Sequence, residues 1–159
     1  MLLNLVEDLH LDASPGDVWK LLRDTPRFAG LLPGIEGVHA LAESGTEAYA
    51  AVVQDKIGPF KVTLNMELRV IEAAEPTLLK ATLKGGDARG LNRVSGTLQA
   101  ALRAADAASA AGSALHFEAS VEIVGNLATL GAVPIKRRTS QLFAEFARNI
   151  QGQFVRENS

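Results

Sequence analysis

The longest regular pattern in the chain runs from Phe60 to Val70. Phe60, Val62, Leu64, Met66, Leu68 and Val70 are apolar, and Lys61, Thr63, Asn65, Glu67 and Arg69 between them are polar. Successive side chains of a strand point to opposite faces, so this alternation predicts a strand with one wet face and one that needs cover. Eleven residues at about 3.3 Å each span roughly 35 Å, longer than an ordinary strand. Whatever covers it must be long as well.

Similar patterns lie on either side. Residues 3–12 read as a first strand with Leu3, Leu5, Leu9 and Leu11 on one row and Glu7 as its odd member. The stretch ASPGDVWKLLRD then carries a helix start, with Ser14 as N-cap, Pro15 in the first helical position and Asp17 three residues after the cap. Pro26 limits that helix, and PRFAGLLPGI predicts a second short helical turn closed by Pro33-Gly34. Residues 36–43 and 48–57 are weaker strand signals separated by the turn-like ESGTE. The second puts Tyr49, Ala51, Val53, Asp55 and Ile57 on one row. Turn signals at Gly58-Pro59 and Glu75-Pro76 bracket the long strand and predict antiparallel neighbours. Leu79, Ala81 and Leu83 continue the alternation. So do the even positions from Asn92 to Leu102, and Leu115, Phe117, Ala119, Val121 and Ile123. Residues 100–115 hold nine alanines and would score as helix on propensity. They lack an apolar stripe and join two alternating runs, so a hairpin with a flexible tip is expected.

After Gly125 the period changes from two to about 3.6. Leu127, Leu130, Ile135, Leu142, Phe143, Phe146, Ile150 and Phe154 recur at three- and four-residue spacings, interrupted by Pro134, which must kink the helix or start a new one. A helix from Pro134 to Phe154 would be roughly 30 Å long at 1.5 Å per residue, a match for the long strand. This helix is the expected cover.

Composition narrows the function more than the fold. The 159 residues fit one domain, expected over 1–155 with a short polar tail at 156–159. They are 47% hydrophobic, 21% charged and 5% aromatic, with 16 basic residues against 18 acidic and a net charge of −2. That balance offers nothing for nucleic acid. With no cysteine, disulfides, thiolate metal sites and thiol nucleophiles are excluded, and a cytoplasmic location is expected. No signal-peptide core precedes Glu7 and Asp8, and no run approaches a membrane span. His10, His39 and His116 are far apart in sequence and assemble neither a metal motif nor a catalytic triad. GGDARG matches no phosphate-binding fingerprint.

The order strand, two short helices, six antiparallel strands and one long closing helix resembles the α+β helix-grip fold of the START-like (SRPBCC) superfamily. More narrowly, ASPGDVWKLLRD, LLPGI at 31–35, KIGPFK at 56–61, the glycines of KGGDARG and VGNLATLG leading into LFAEFARNI resemble the carbon monoxide dehydrogenase G-subunit family. The resemblance runs from about residue 2 to residue 155. It implies a curved sheet of about seven strands around the C-terminal helix with an apolar cavity between them. It also implies an accessory protein of carbon monoxide dehydrogenase-type molybdenum hydroxylases, or of their maturation proteins, that holds an apolar ligand such as a quinone. Some relatives approach the membrane through a C-terminal extension. The polar residues 156–159 lack one, so only transient membrane contact is expected.

Small residues on the inward rows, namely Ala51, Ala81, Gly96, Ala100 and Ala119, leave room that bulky ones would fill. Val53, Leu64, Met66, Leu83, Leu98, Phe117, Phe143 and Phe146 are the expected pocket lining, against the alternative of a plain packed core. Asp55 on the apolar row is either solvated at a bulged strand end or a polar handle at the cavity end, and Glu7 invites the same two readings with exposure at a sheet edge as the first. Lys136, Arg137 and Arg138 form the one basic cluster, either a solvated helix face or a docking patch for an acidic partner or an anionic membrane. The expected function is a non-enzymatic carrier of a hydrophobic small molecule, without metal or resident cofactor. Two rivals stand beside it: a polyketide cyclase or hydratase-like enzyme using Asp55 in the same cavity, and an assembly factor acting by protein contact alone.

Overall fold

The computed structural model describes residues 1–42, 45–106 and 109–154. The start of the ESGTE turn at 43–44, the hairpin tip at 107–108 and the tail at 156–159 lie outside the described residues. The chain forms β1 (Leu2–Leu11), α1 (Pro15–Arg23), α2 (Thr25–Ala29), β2 (Ile35–Ala40), β3 (Glu47–Ile57), β4 (Phe60–Ala74), β5 (Leu78–Gly86), β6 (Asn92–Asp106), β7 (Ser109–Gly125), a 3-10 turn (Asn126–Leu130) and α3 (Ala132–Gly152). The seven strands make one curved antiparallel sheet in the order β1-β7-β6-β5-β4-β3-β2.

Local chemistry explains the boundaries. The Ser14 hydroxyl accepts from the Asp17 N–H at 3.3 Å, closing the first turn of α1 with Pro15 just inside it. Asp24 ends α1 and caps α2, its carboxylate accepting from the Arg27 N–H at 3.4 Å. Pro134 neither kinks the closing helix nor begins it: α3 starts at Ala132, and Pro134 sits in its first turn, where a missing N–H costs nothing. Phe154 is not on the helix, which ends at Gly152, yet it still packs against the core. The alanine-rich stretch is a hairpin, with Ala100 opposite Phe117 and Leu102 opposite Leu115. Burial of Ala100, Leu102 and Leu115 in the core outweighs helix propensity there.

Strand register confirms which side chains share a face. One line across the sheet joins Tyr49, Leu68, Leu83, Gly96, Val121 and Leu3, all on the rows expected to point inward. Two glycines on these rows are required by backbone proximity. A Cβ on Gly96 would meet the Ser120 carbonyl oxygen and Val121 Cα. A Cβ on Gly85 would meet the Asn65 carbonyl oxygen and Met66. Neighbouring strands can come this close only where one of them has no side chain.

The helix α3 crosses the inward face. It approaches the sheet most closely at β1 and β3, on opposite sides of the curve, and only marginally at the strands between. The core is correspondingly divided. One cluster packs Leu9, Leu11, Leu102 and Leu115 against Val18, Trp19, Leu21 and Leu22 of α1 and Phe146 and Ile150 of α3. The other, at the opposite end of the sheet, packs Leu3, Val62 and Ile123 against Leu127 and Ile135. The clusters share no member.

Candidate functional site

Between the two clusters lies a belt of apolar side chains that belongs to neither. Leu5, Tyr49, Ala51, Val53, Met66, Leu68, Leu83, Leu98 and Ala119 face inward by register and are half-buried. The strands supply these residues for the reason seen in the sequence, since most alternate positions of β3 to β7 are apolar. Here α3 makes its main sheet contacts at β1 and β3, and Gly96, Ala51 and Ala119 contribute little volume to the belt.

The expected lining residues divide accordingly. Val53, Met66, Leu83 and Leu98 lie in the belt. Leu64 packs against the second cluster. Phe117 and Phe143 pack against the first, and Phe146 is part of it. With Phe28 of α2 they form an aromatic end wall: ring centroids of Phe28 and Phe146 are 5.2 Å apart, and those of Phe117 and Phe143 5.7 Å, both edge-on. Phe28 was not among the expected lining residues. It follows Pro26 in a segment too short to show a period, so its direction was not legible.

Two Arg–carboxylate clamps fasten the inward row of β3 to the helices. Arg138 donates from Nε and Nη2 to both oxygens of Asp55, at 2.9 and 2.6 Å. Arg23 at the end of α1 donates to both oxygens of Glu47, at 2.6 and 3.1 Å. Asp55 is therefore neither solvated nor bulged: its register with Val62 is regular and its side chain is 13% exposed. The hydrogen bonds from Arg138 hold its carboxyl below the ordinary value of 3.8, against a smaller opposing effect of burial. This changes two expectations. Arg138 leaves the basic cluster, so that of its three cations Lys136 and Arg137 alone are exposed. Asp55, already engaged by a guanidinium, is a poor proton shuttle for the cyclase-like reading.

On the outer face, His116 sits directly opposite Asp8. Its Nδ1 is 2.7 Å from the Asp8 carboxylate and its Nε2 is 3.0 Å from that of Glu118. Satisfying both acceptors requires a proton on each nitrogen, and these bonds, Asp8 first, raise the imidazole above its usual 6.5. A raised folded-state value means that the cluster contributes fully below about 6.5 and loses its contribution as pH rises through the higher value. In an NMR titration the His116 ring protons are expected to show a midpoint above 6.5 that Asp8→Asn moves back down. A midpoint indifferent to Asp8 would refute the assignment. The same outer face carries a trough of about 1130 Å³ lined by Glu67, Lys84, Arg93 and Glu122 among others, with charges of both signs. Among the described residues no group of His, Asp and Glu could hold a metal ion, and no helix is long and apolar enough to cross a membrane.

A curved seven-stranded sheet whose inward face is crossed by a long C-terminal helix is the START-like, helix-grip architecture. Solved structures share it over nearly their whole length. A conserved protein from Geobacillus kaustophilus is 21% identical with a TM-score of 0.81, covering 96% of this chain and 95% of that one. A START superfamily protein from Mycobacterium smegmatis is 13% identical with a TM-score of 0.69, covering 95% and 96%. Norcoclaurine synthase from Thalictrum flavum, in complex with dopamine and hydroxybenzaldehyde, is 14% identical with a TM-score of 0.64, covering 100% and 90%. At these identities the likeness shows the fold alone. The profile of the carbon monoxide dehydrogenase G-subunit (CoxG) family matches residues 8–154, and the chain belongs to that family. No curated protein matches the sequence.

Proposed function

We propose that this protein binds a hydrophobic small molecule in the belt between its two core clusters, and that it carries this ligand as an accessory of a carbon monoxide dehydrogenase-type molybdenum hydroxylase. A quinone is the proposed ligand. The observation that carries the reading is the divided core: a belt of apolar side chains faces α3 and is left half-exposed, although packing it would stabilise the fold. A ligand burying about 300 Å² of apolar surface there would gain on the order of 7 kcal/mol at 25 cal/mol per Å², before the costs of association. Norcoclaurine synthase with its aromatic ligands supports the use of this fold as a small-molecule container. The family supports the hydroxylase as partner, and Lys136 and Arg137 offer an acidic partner a contact beside α3.

Native mass spectrometry of freshly purified protein, followed by organic extraction, tests the reading. The expected result is an adduct that releases an apolar compound. Ala119→Phe, which places a ring in the belt, is expected to abolish the adduct while leaving the circular dichroism spectrum unchanged. Protein that is bare as isolated, and takes up no alkylated quinone when offered it, would overturn the proposal.

A further inference from the structure

The two edges of the sheet are finished differently. β2 has six residues, a Gly37 at a φ of 65° and a break in its register between Glu36 and His39. Short and irregular edge strands resist pairing with another chain. β1 is neither. It runs ten residues in unbroken register with β7 and contains no proline, glycine or lysine.

The register also says which main-chain groups of β1 are unpaired. Met1 and Ile123 exchange two hydrogen bonds, each at 2.8 Å, so the odd residues of β1 bond to β7 while the N–H and C=O of the even residues point away from the sheet. The Gln151 amide of α3 reaches one of these groups, the His10 carbonyl, at 3.4 Å. The main-chain groups of Asn4, Val6 and Asp8 bond to no described residue. All three side chains are exposed, and Val6, at 58%, is a large apolar side chain in the middle of the open edge.

We propose that this edge is a self-association surface: two copies of the chain pair their β1 strands antiparallel about a two-fold axis at Val6, joining both sheets into one. The inference stands apart from any ligand. The occupant is a second copy because β1 is its own complement in this register. Val6 lies opposite its counterpart, and Asn4 of each copy lies opposite Asp8 of the other. Each of these opposed pairs exchanges two main-chain bonds, which satisfies every free group of the three residues. Asp8 holds His116 through Oδ1 alone, so its Oδ2 is left to accept from the Asn4 amide across the axis. On the inward side Glu7 meets Leu5, and no like charges face one another. Moving the axis to Glu7 or Asp8 would set a carboxylate against its counterpart, and moving it to Leu5 would set Val6 against Asn4. A two-fold pairing closes on itself, and the irregular β2 edge does not extend it, so association stops at the dimer. The interface is that of one strand edge, so the dimer forms and dissociates with concentration.

The test is sedimentation velocity of the full chain over a range of concentrations. The mass is expected to rise from 16.8 kDa toward twice that value at concentrations on the order of 100 µM, as for a weak interface. Val6→Lys alters an already exposed side chain and sets two cations against each other on the axis. It is expected to keep the chain monomeric with a native circular dichroism spectrum and unfolding midpoint. Because the chain has no cysteine, Val6→Cys reports the register. Opposed residues of a hydrogen-bonded pair lie about 5.5 Å apart, within reach of a disulfide, and mild oxidation is expected to link the two copies. Val124→Cys, exposed on the outer face of β7, is expected to stay unlinked. A chain that remains monomeric at every concentration, a dimer that survives Val6→Lys, or equal cross-linking at the two positions overturns the proposal.

Discussion

Ile150→Ala is expected to destabilise the protein by about 2–5 kcal/mol, measured as a shift in its urea unfolding midpoint. Ile150 is fully buried between α1, α3 and the strands of the first cluster, and its removal leaves a cavity that such packing cannot close. The informative comparison is Leu83→Ala. Leu83 is chemically similar, lies on an inward row and would be an equally costly loss if the interior were uniformly packed. Because it stands half-exposed in the belt, its truncation is expected to cost about 1 kcal/mol or less. Equal losses at the two positions would mean that no hollow separates the clusters, and the carrier reading would fall with it.

Arg138→Ala is expected to cost about 1–3 kcal/mol, toward the lower end because 35% of the Arg138 side chain reaches solvent. What it leaves behind is an Asp55 carboxylate with little access to water. The sign of the pH dependence follows from the lowered folded-state value of Asp55. The clamp contributes fully well above the ordinary 3.8 and loses its contribution as the pH falls through the lower value. The stability gap between wild type and Arg138→Ala should accordingly be wide at neutral pH and close in acid. A double-mutant cycle with Asp55→Asn would show whether the two residues act together. A gap that persists unchanged at low pH would show that Arg138 contributes through packing and not through its charge.

Much of the fold was legible because its signals are local. The Ser14 cap, the alternation from Phe60 to Val70 and the change of period after Gly125 each lie within a few residues of what they determine. The inward rows follow from them, so the belt residues Val53, Met66, Leu83 and Leu98 were readable as one face. What was not legible depends on how that face is crossed. Arg138 sits in a run of three cations that reads as a surface patch. Only the position of α3 over β3 brings it to Asp55, 83 residues away. His116 and Asp8 are 108 residues apart, joined by a pairing of β1 with β7 that spacing alone does not give. Phe154 keeps the helical period although the chain turns at Gln153, because a turn of αR backbone preserves the direction of the next side chain closely enough to mislead.

The tight backbone approaches at Gly85 and Gly96 bear on how this scaffold can diversify. The approach there is between main-chain atoms, so these two positions cannot gain a side chain without moving a neighbouring strand. The half-buried Leu68, Leu83, Leu98 and Ala119, in contrast, can be exchanged one at a time. Descendants of such a chain are free to retune what they accommodate while inheriting the same bend.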